Sequence, residues 1–175
     1  MIAIVVILCC LGFILADETA HKHEDFHCNK HVLMEHMKRL NLTNKLGGKF
    51  YHQLFQSLPE AKSQFAEHFD KLEDVENMKY YQQLGHSLLS LLKELPEHCD
   101  DDHALKQEIM KIKKKHDEKH VDAKMFKKSK PAILKFLTDN TQMTNEEKEA
   151  WDHLITHSLH LYSELEGHSE EHEQH

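Results

Sequence analysis

The stretch IKKKHDEKHV, residues 112–121, sets two histidines four apart inside a run of lysines. A neutral imidazole is the commonest protein ligand for a transition metal, and it exchanges a proton near pH 6.5. His116 and His120 are therefore residues whose type could do chemistry. Read at about 100° per residue, the helix separates their roles. Leu105, Ile109, Ile112 and His116 follow one another at steps of four, three and four and form one stripe, while Lys113, Lys114 and Lys115 turn outward. His116 stands where a core residue would stand, as a satisfied core histidine or as a ligand.

The element that must face it is the helix before. In YYQQLGHSLLSLL, the residues Tyr81, Leu84, Gly85, Leu88, Leu91 and Leu92 share about one third of the circumference, and His86 points roughly opposite, to solvent. A neutral imidazole against an apolar wall, with no second protein ligand, suits a haem iron with an open sixth position. It suits zinc poorly, because zinc takes three or four protein ligands.

The rest of the chain reads as all-α. Gly (5) and Pro (3) are scarce, charged residues are interleaved with Leu, Met and Phe, and no strand-like alternation occurs. A first helix is predicted over 29–40, with Val32, Leu33, Met37 and Leu40 as its stripe. Thr43 caps a second helix reaching residue 56, and Pro59 starts a short helical turn. A long helix over 74–95 ends before Pro96, and Asp101 or Asp102 caps the helix that carries His116. Another is predicted over 123–137, with Pro131 as a kink. In MTNEEKEAW, Thr144 and Glu147 form a capping box for a last helix reaching residue 165.

The opening residues 1–16 carry no charge, are too short to span a bilayer and end in a small residue, as a cleaved secretory signal does. Residues 17–26 read as a loose polar segment and 167–175, GHSEEHEQH, as a disordered His/Glu-rich tail. Cys9 and Cys10 leave with the signal. Cys28 and Cys99 remain, as one disulfide of a secreted chain or as two buried thiols. The NLT triplet makes Asn41 an acceptor for N-linked sugar wherever it is exposed. A net charge of −8 argues against nucleic-acid binding, and nothing after the signal is apolar enough to cross a membrane.

Four segments in order carry a resemblance to the globin family. FYHQLFQSLPEAKSQF resembles its second and third helices, DVENMKYYQQLGHSLLSLL its distal helix, KKHDEKHV its proximal corner, and NEEKEAWDHL the last helix of secreted nematode globins. The resemblance spans residues 27–166 and implies helices packed at about 50° around haem b. It assigns His116 as the proximal iron ligand, Phe65 and Val121 as residues touching the ring, and Pro59 as the corner after the second helix. Leu84 and Leu88 belong to the distal wall. Leu84 departs from the family's usual His or Gln and can donate no hydrogen bond. Gly47 and Gly85 match two glycines where the second and fifth helices cross. Tyr51 matches a ligand-facing tyrosine whose hydroxyl could reach dioxygen, with ordinary core packing as the alternative. His120 lies near the rim, within reach of a propionate at most. The resemblance also places the chain ends near the corner that holds Cys99, in keeping with a Cys28–Cys99 bond.

The remaining histidines flank the domain. His21, His23, His27 and His31 precede or open the first helix, His168, His172 and His175 end the chain, and His153, His157 and His160 recur along the last helix. Hydrophilic termini account for most of them. Copper or zinc binding and the oligomer assembly linked with such tails in some nematode globins are the alternatives. The function expected is an extracellular, non-enzymatic globin that binds dioxygen or another diatomic ligand through haem. Peroxidase or nitric-oxide dioxygenase chemistry in the same pocket is one rival. A haem-free secreted helical module that binds a metal through its histidines is the other.

Overall fold

Four side-chain caps decide where helices start. Thr43, Asp101, Asp122 and Thr144 each accept a hydrogen bond from the backbone N–H three residues on, at 3.1, 3.0, 2.7 and 3.2 Å. Each satisfies one of the donors that a helix N-terminus leaves orphaned. At Thr144 the box closes, since the Glu147 carboxylate accepts from the Thr144 N–H at 2.8 Å. The structure, a computed structural model, describes residues 26–68, 72–119 and 121–172. Within them lie α1 (Lys30–Lys38), α2 (Asn44–Ser57), α3 (Lys79–Glu94), α4 (Asp102–Asp117), α5 (Ala123–Thr141) and α6 (Asn145–His172). Three 3₁₀ segments, Pro59–His68, Leu72–Asp74 and Leu95–His98, join them, and no strand is present among the described residues.

Several helix boundaries differ from the sequence expectation. The helix expected from residue 74 begins at Lys79. Val75, fully buried, pins a turn into the core, and the N–H groups of Asn77 and Met78 donate to the Asp74 carbonyl instead of opening a helix. At its other end α3 stops at Glu94, but the chain continues as 3₁₀ through Pro96, which sits at a helix start where its missing N–H does no harm. α5 runs through Pro131 to Thr141 and is ended by Gln142 in the left-handed region, φ 54°. The last helix extends to His172, so most of the tail expected to be disordered continues α6. The expected signal and nearly all of the polar segment, with His21 and His23, lie outside the described residues, as do His120 and His175. No helix among the described residues is long and apolar enough to cross a membrane.

α2 and α3 cross in close contact, and two glycines allow it. A Cβ added to Gly47 would overlap the Gln82 carbonyl and the His86 amide; one added to Gly85 would overlap the backbone of Gly47 itself. Gly48 adds a third close approach, to the Glu76 carbonyl, which also accepts from the Gln82 side chain at 3.1 Å. Tyr51, Phe55, Phe65 and Tyr81 form an aromatic cluster beside this crossing, with centroids 5.3–6.1 Å apart. Cys28 and Cys99 are joined as a disulfide with their Cα atoms 5.7 Å apart, tying the segment before α1 to the corner between α3 and α4.

Candidate functional site

α3 presents two adjacent stripes where the sequence reading saw one. Tyr81, Gly85 and Leu89 are buried against other helices. Tyr80, Leu84, Ser87 and Leu91, at steps of four, three and four, line a cavity of about 450 Å³ together with Leu88. That size falls within the ~300–1,000 Å³ of small-molecule sites. α2 contributes Phe50, Tyr51 and Leu54, and the following segment contributes Leu58, Ala61, Gln64 and Phe65. The opposite wall comes from Ile112 and His116 of α4, Val121, and Met125, Phe126 and Ile133 of α5. The six residues expected to touch a cofactor (His116, Phe65, Leu84, Leu88, Val121 and Tyr51) thus share one cavity.

His116 is half-buried at the last turn of α4, and its ring is fixed on both sides. Nδ1 lies 2.8 Å from the Ile112 carbonyl oxygen. A carbonyl can only accept, so Nδ1 carries the proton and the outer nitrogen, Nε2, keeps its lone pair. Burial lowers the pKa of the ring, which favours the neutral form a ligand must have. Phe126 meets it edge-on at 5.1 Å and stacks in turn on Tyr162 at 4.9 Å. The Tyr162 hydroxyl donates to the Val121 carbonyl at 2.9 Å, holding the turn after α4 in place.

Tyr51 is 6% exposed, and burial raises its phenol pKa, so it is a neutral donor. No hydrogen-bond partner for its hydroxyl occurs among the described residues. Phe65 breaks its 3₁₀ segment, with φ −126° and ψ 20°, and Pro59 opens that segment. Leu84 and Leu88 are half-buried.

Lys115 and Ser87 are exposed yet border the cavity, and His86 is less exposed than expected. Lys115, expected to face away, lines the cavity mouth with Glu118 and Lys119. Ser87 also lines it, but its hydroxyl donates back to the Gln83 carbonyl at 3.0 Å, so the wall stays apolar in effect. His86, expected in solvent, is half-buried, its amide pressed against Gly47. Tyr80 and Gln64 were missed; the step pattern 80, 84, 87, 91 is the signal that points to Tyr80. Asn41 is exposed between α1 and α2. His27, His31, His153 and His160 are exposed, and His157 meets Asp102 at 3.0 Å. No group of three or more His, Cys, Asp or Glu able to hold a metal occurs among the described residues.

An all-helical chain with one neutral, oriented imidazole in an apolar cavity has the donor set of a haem pocket rather than of a zinc site. The globin family model matches residues 48–160, from the α2–α3 crossing to the middle of α6, and the whole described cavity wall lies inside that span. The chain belongs to the globin family and has the all-α globin fold. Globins bind haem and, through it, dioxygen and other diatomic gases; most are not enzymes. No curated protein matches the chain.

Proposed function

We propose that this chain is an extracellular globin, of the secreted nematode type, that holds haem b in the cavity through His116 and carries, stores or scavenges dioxygen. The observation that carries the reading is the bond from His116 Nδ1 to the Ile112 carbonyl, which leaves Nε2 as an oriented lone pair among apolar walls. The residues present fit the group. Phe65, Leu84, Leu88 and Val121 would pack against the ring, and Lys115 and Lys119 at the mouth would meet its carboxylates. Neither lysine is ion-paired among the described residues, whereas Lys111 and Lys113 on the same helix are. Bound haem supplies a ferrous iron that takes a diatomic gas reversibly. Tyr51 is the donor on hand for such a guest, since Leu84 offers none. Among the described residues the wall holds no second histidine and no arginine, which favours a carrier over peroxidase or nitric-oxide dioxygenase turnover.

Secretion is part of the same proposal. It is supported by the uncharged leader, by the Cys28–Cys99 disulfide, which suits an oxidising compartment, and by the exposed Asn41 sequon. The deciding measurement is the visible spectrum of protein secreted from eukaryotic cells, before and after haemin and dithionite. A Soret band whose ferrous form shifts reversibly with oxygen is expected. A spectrum that haemin leaves flat would sink the haem reading. Retention inside the cell, or an intact mass without sugar at Asn41, would separately sink the secretory one.

A further inference from the structure

His36 lies outside the family-matched span, on α1, and no residue of α1 lines the described cavity. Its side chain is fully buried, and both ring nitrogens are engaged. Trp151 Nε1 donates to His36 Nδ1 at 2.9 Å, and Nε2 lies 2.6 Å from Thr141 Oγ1. An indole N–H only donates, so Nδ1 holds a lone pair and the ring's one proton sits on Nε2. The Thr141 hydroxyl oxygen accepts a hydrogen bond from that N–H, and the hydroxyl donates its own to the Leu137 carbonyl at 2.6 Å. A donor-only indole at one end and an acceptor-only carbonyl at the other leave a single consistent direction for every bond. The chain joins α1 to α5 and α6. A second proton on His36 would set N–H against N–H at Trp151, in a place where both are buried, and leave a buried donor unsatisfied.

The charges bearing on His36 are few. Burial lowers its pKa below 6.5; Glu147 of α6 opposes that shift, and Arg39 of α1 reinforces it. Arg39 and Glu147 are paired at 2.7 Å, and that bond holds the Glu147 carboxyl down at about 2, so the pair stays intact in mild acid. From α5 the facing group is the uncharged Thr141. The 3₁₀ segment packed on α1 carries Glu97, which is exposed, and His98, which is half-buried.

We propose that the His36–Trp151–Thr141 chain is an acid-released latch, in which protonation of His36 breaks the Trp151 bond and frees α1 from α5 and α6. The Cys28–Cys99 disulfide keeps the freed helix attached. Release uncovers Leu33 and Met37 of α1 and Leu40 just after it, all nearly fully buried, while the described cavity wall keeps every residue. The sign follows from linkage. The unfolded or released histidine takes its proton near 6.5 and the latched one only at lower pH, so the latch is fully stable above 6.5 and weakens as pH falls below it. The latch stands apart from the haem reading, since its bonds lie outside the cavity.

The chain holds a single tryptophan, so the Trp151 indole N–H gives one resonance that reads the latch directly. In ¹⁵N-labelled full-length protein, titrated from about pH 7.5 to about 4.5 across the histidine range, that resonance is expected to shift and lose solvent protection in a one-proton step. Its midpoint should lie below 6.5, with helix content otherwise retained by circular dichroism. His36→Gln, neutral yet able to accept from Trp151 and donate to Thr141, should abolish the step. Trp151→Phe, followed on the carbon-bound protons of His36, should move the midpoint up toward 6.5 because the facing donor is gone. An indole signal that is unchanged until the whole protein unfolds, the same step in His36→Gln, or an unmoved midpoint in Trp151→Phe would each overturn the latch.

Discussion

Gly47 and Gly85 occupy each other's side-chain space: a Cβ on Gly85 would fall on the carbonyl, carbonyl carbon and Cα of Gly47. The clash is backbone against backbone, so no rotamer change relieves it and α2 must part from α3. Gly85→Ala is expected to lower stability by about 1–3 kcal/mol, toward the upper end, through overpacking. Helix propensity alone would instead favour alanine by nearly 1 kcal/mol. Urea unfolding decides the sign; a variant as stable as the parent would mean that the helices do not cross this closely.

Removing the imidazole tests His116 and leaves the other wall residues in place. His116→Gly should give no Soret band with haemin alone and should regain one when imidazole is added in excess. The missing ligand can then be supplied from solution into the space that the side chain vacates. Binding of haemin by the glycine variant as tight as by the parent would move the ligand elsewhere in the chain.

Tyr51 is buried, neutral and without a hydroxyl partner among the described residues, so a polar guest is free to take its hydrogen bond. Tyr51→Phe keeps the aromatic contacts with Phe65 and Tyr81 and removes only the hydroxyl. Dioxygen release in stopped flow should quicken about tenfold, the factor that 1.4 kcal/mol gives. Unchanged release would return Tyr51 to the core.

Lys115 and Lys119 are exposed, so each is worth little, roughly fivefold or less in affinity. Replacing both by Met should weaken haemin binding by up to that factor per lysine. Binding of haemin dimethyl ester, which has no carboxylate, should not change. An equal loss for acid and ester would mean that the lysines support the mouth of the cavity by packing only.

Much of this protein is local and therefore legible in the sequence. Caps at Thr43 and Thr144 and the stripe ending in His116 depend on residues three and four apart, and helix geometry alone brings those together. The resemblance drew Tyr51, Phe65 and Val121 toward one pocket and Gly47 to the crossing beside it, and the structure places all four so. What spacing could not give was which of two neighbouring faces of α3 meets helices and which meets the cavity, because Leu88 and Leu89 look alike until something packs on them. Nor could it show why the helix expected at Asp74 starts at Lys79. The burial of Val75 and the approach of Gly48 to Glu76 decide that from across the fold. Lys115 stays exposed, yet only the fold sets it at the cavity mouth.

His36 marks the limit most clearly. Its place beside Leu33, Met37 and Leu40 sets it on the apolar stripe of the first helix, but nothing there shows what meets its ring. Its partners stand 105 and 115 residues away, and only the packing of α1 against α5 and α6 brings a hydroxyl and an indole to its two nitrogens. Sequence determined the helices, the imidazole and the apolar faces, because those follow from neighbours along the chain. Tertiary structure decided which histidine is buried and where its proton sits, because hydrogen bonds between distant segments exist only once the chain has folded.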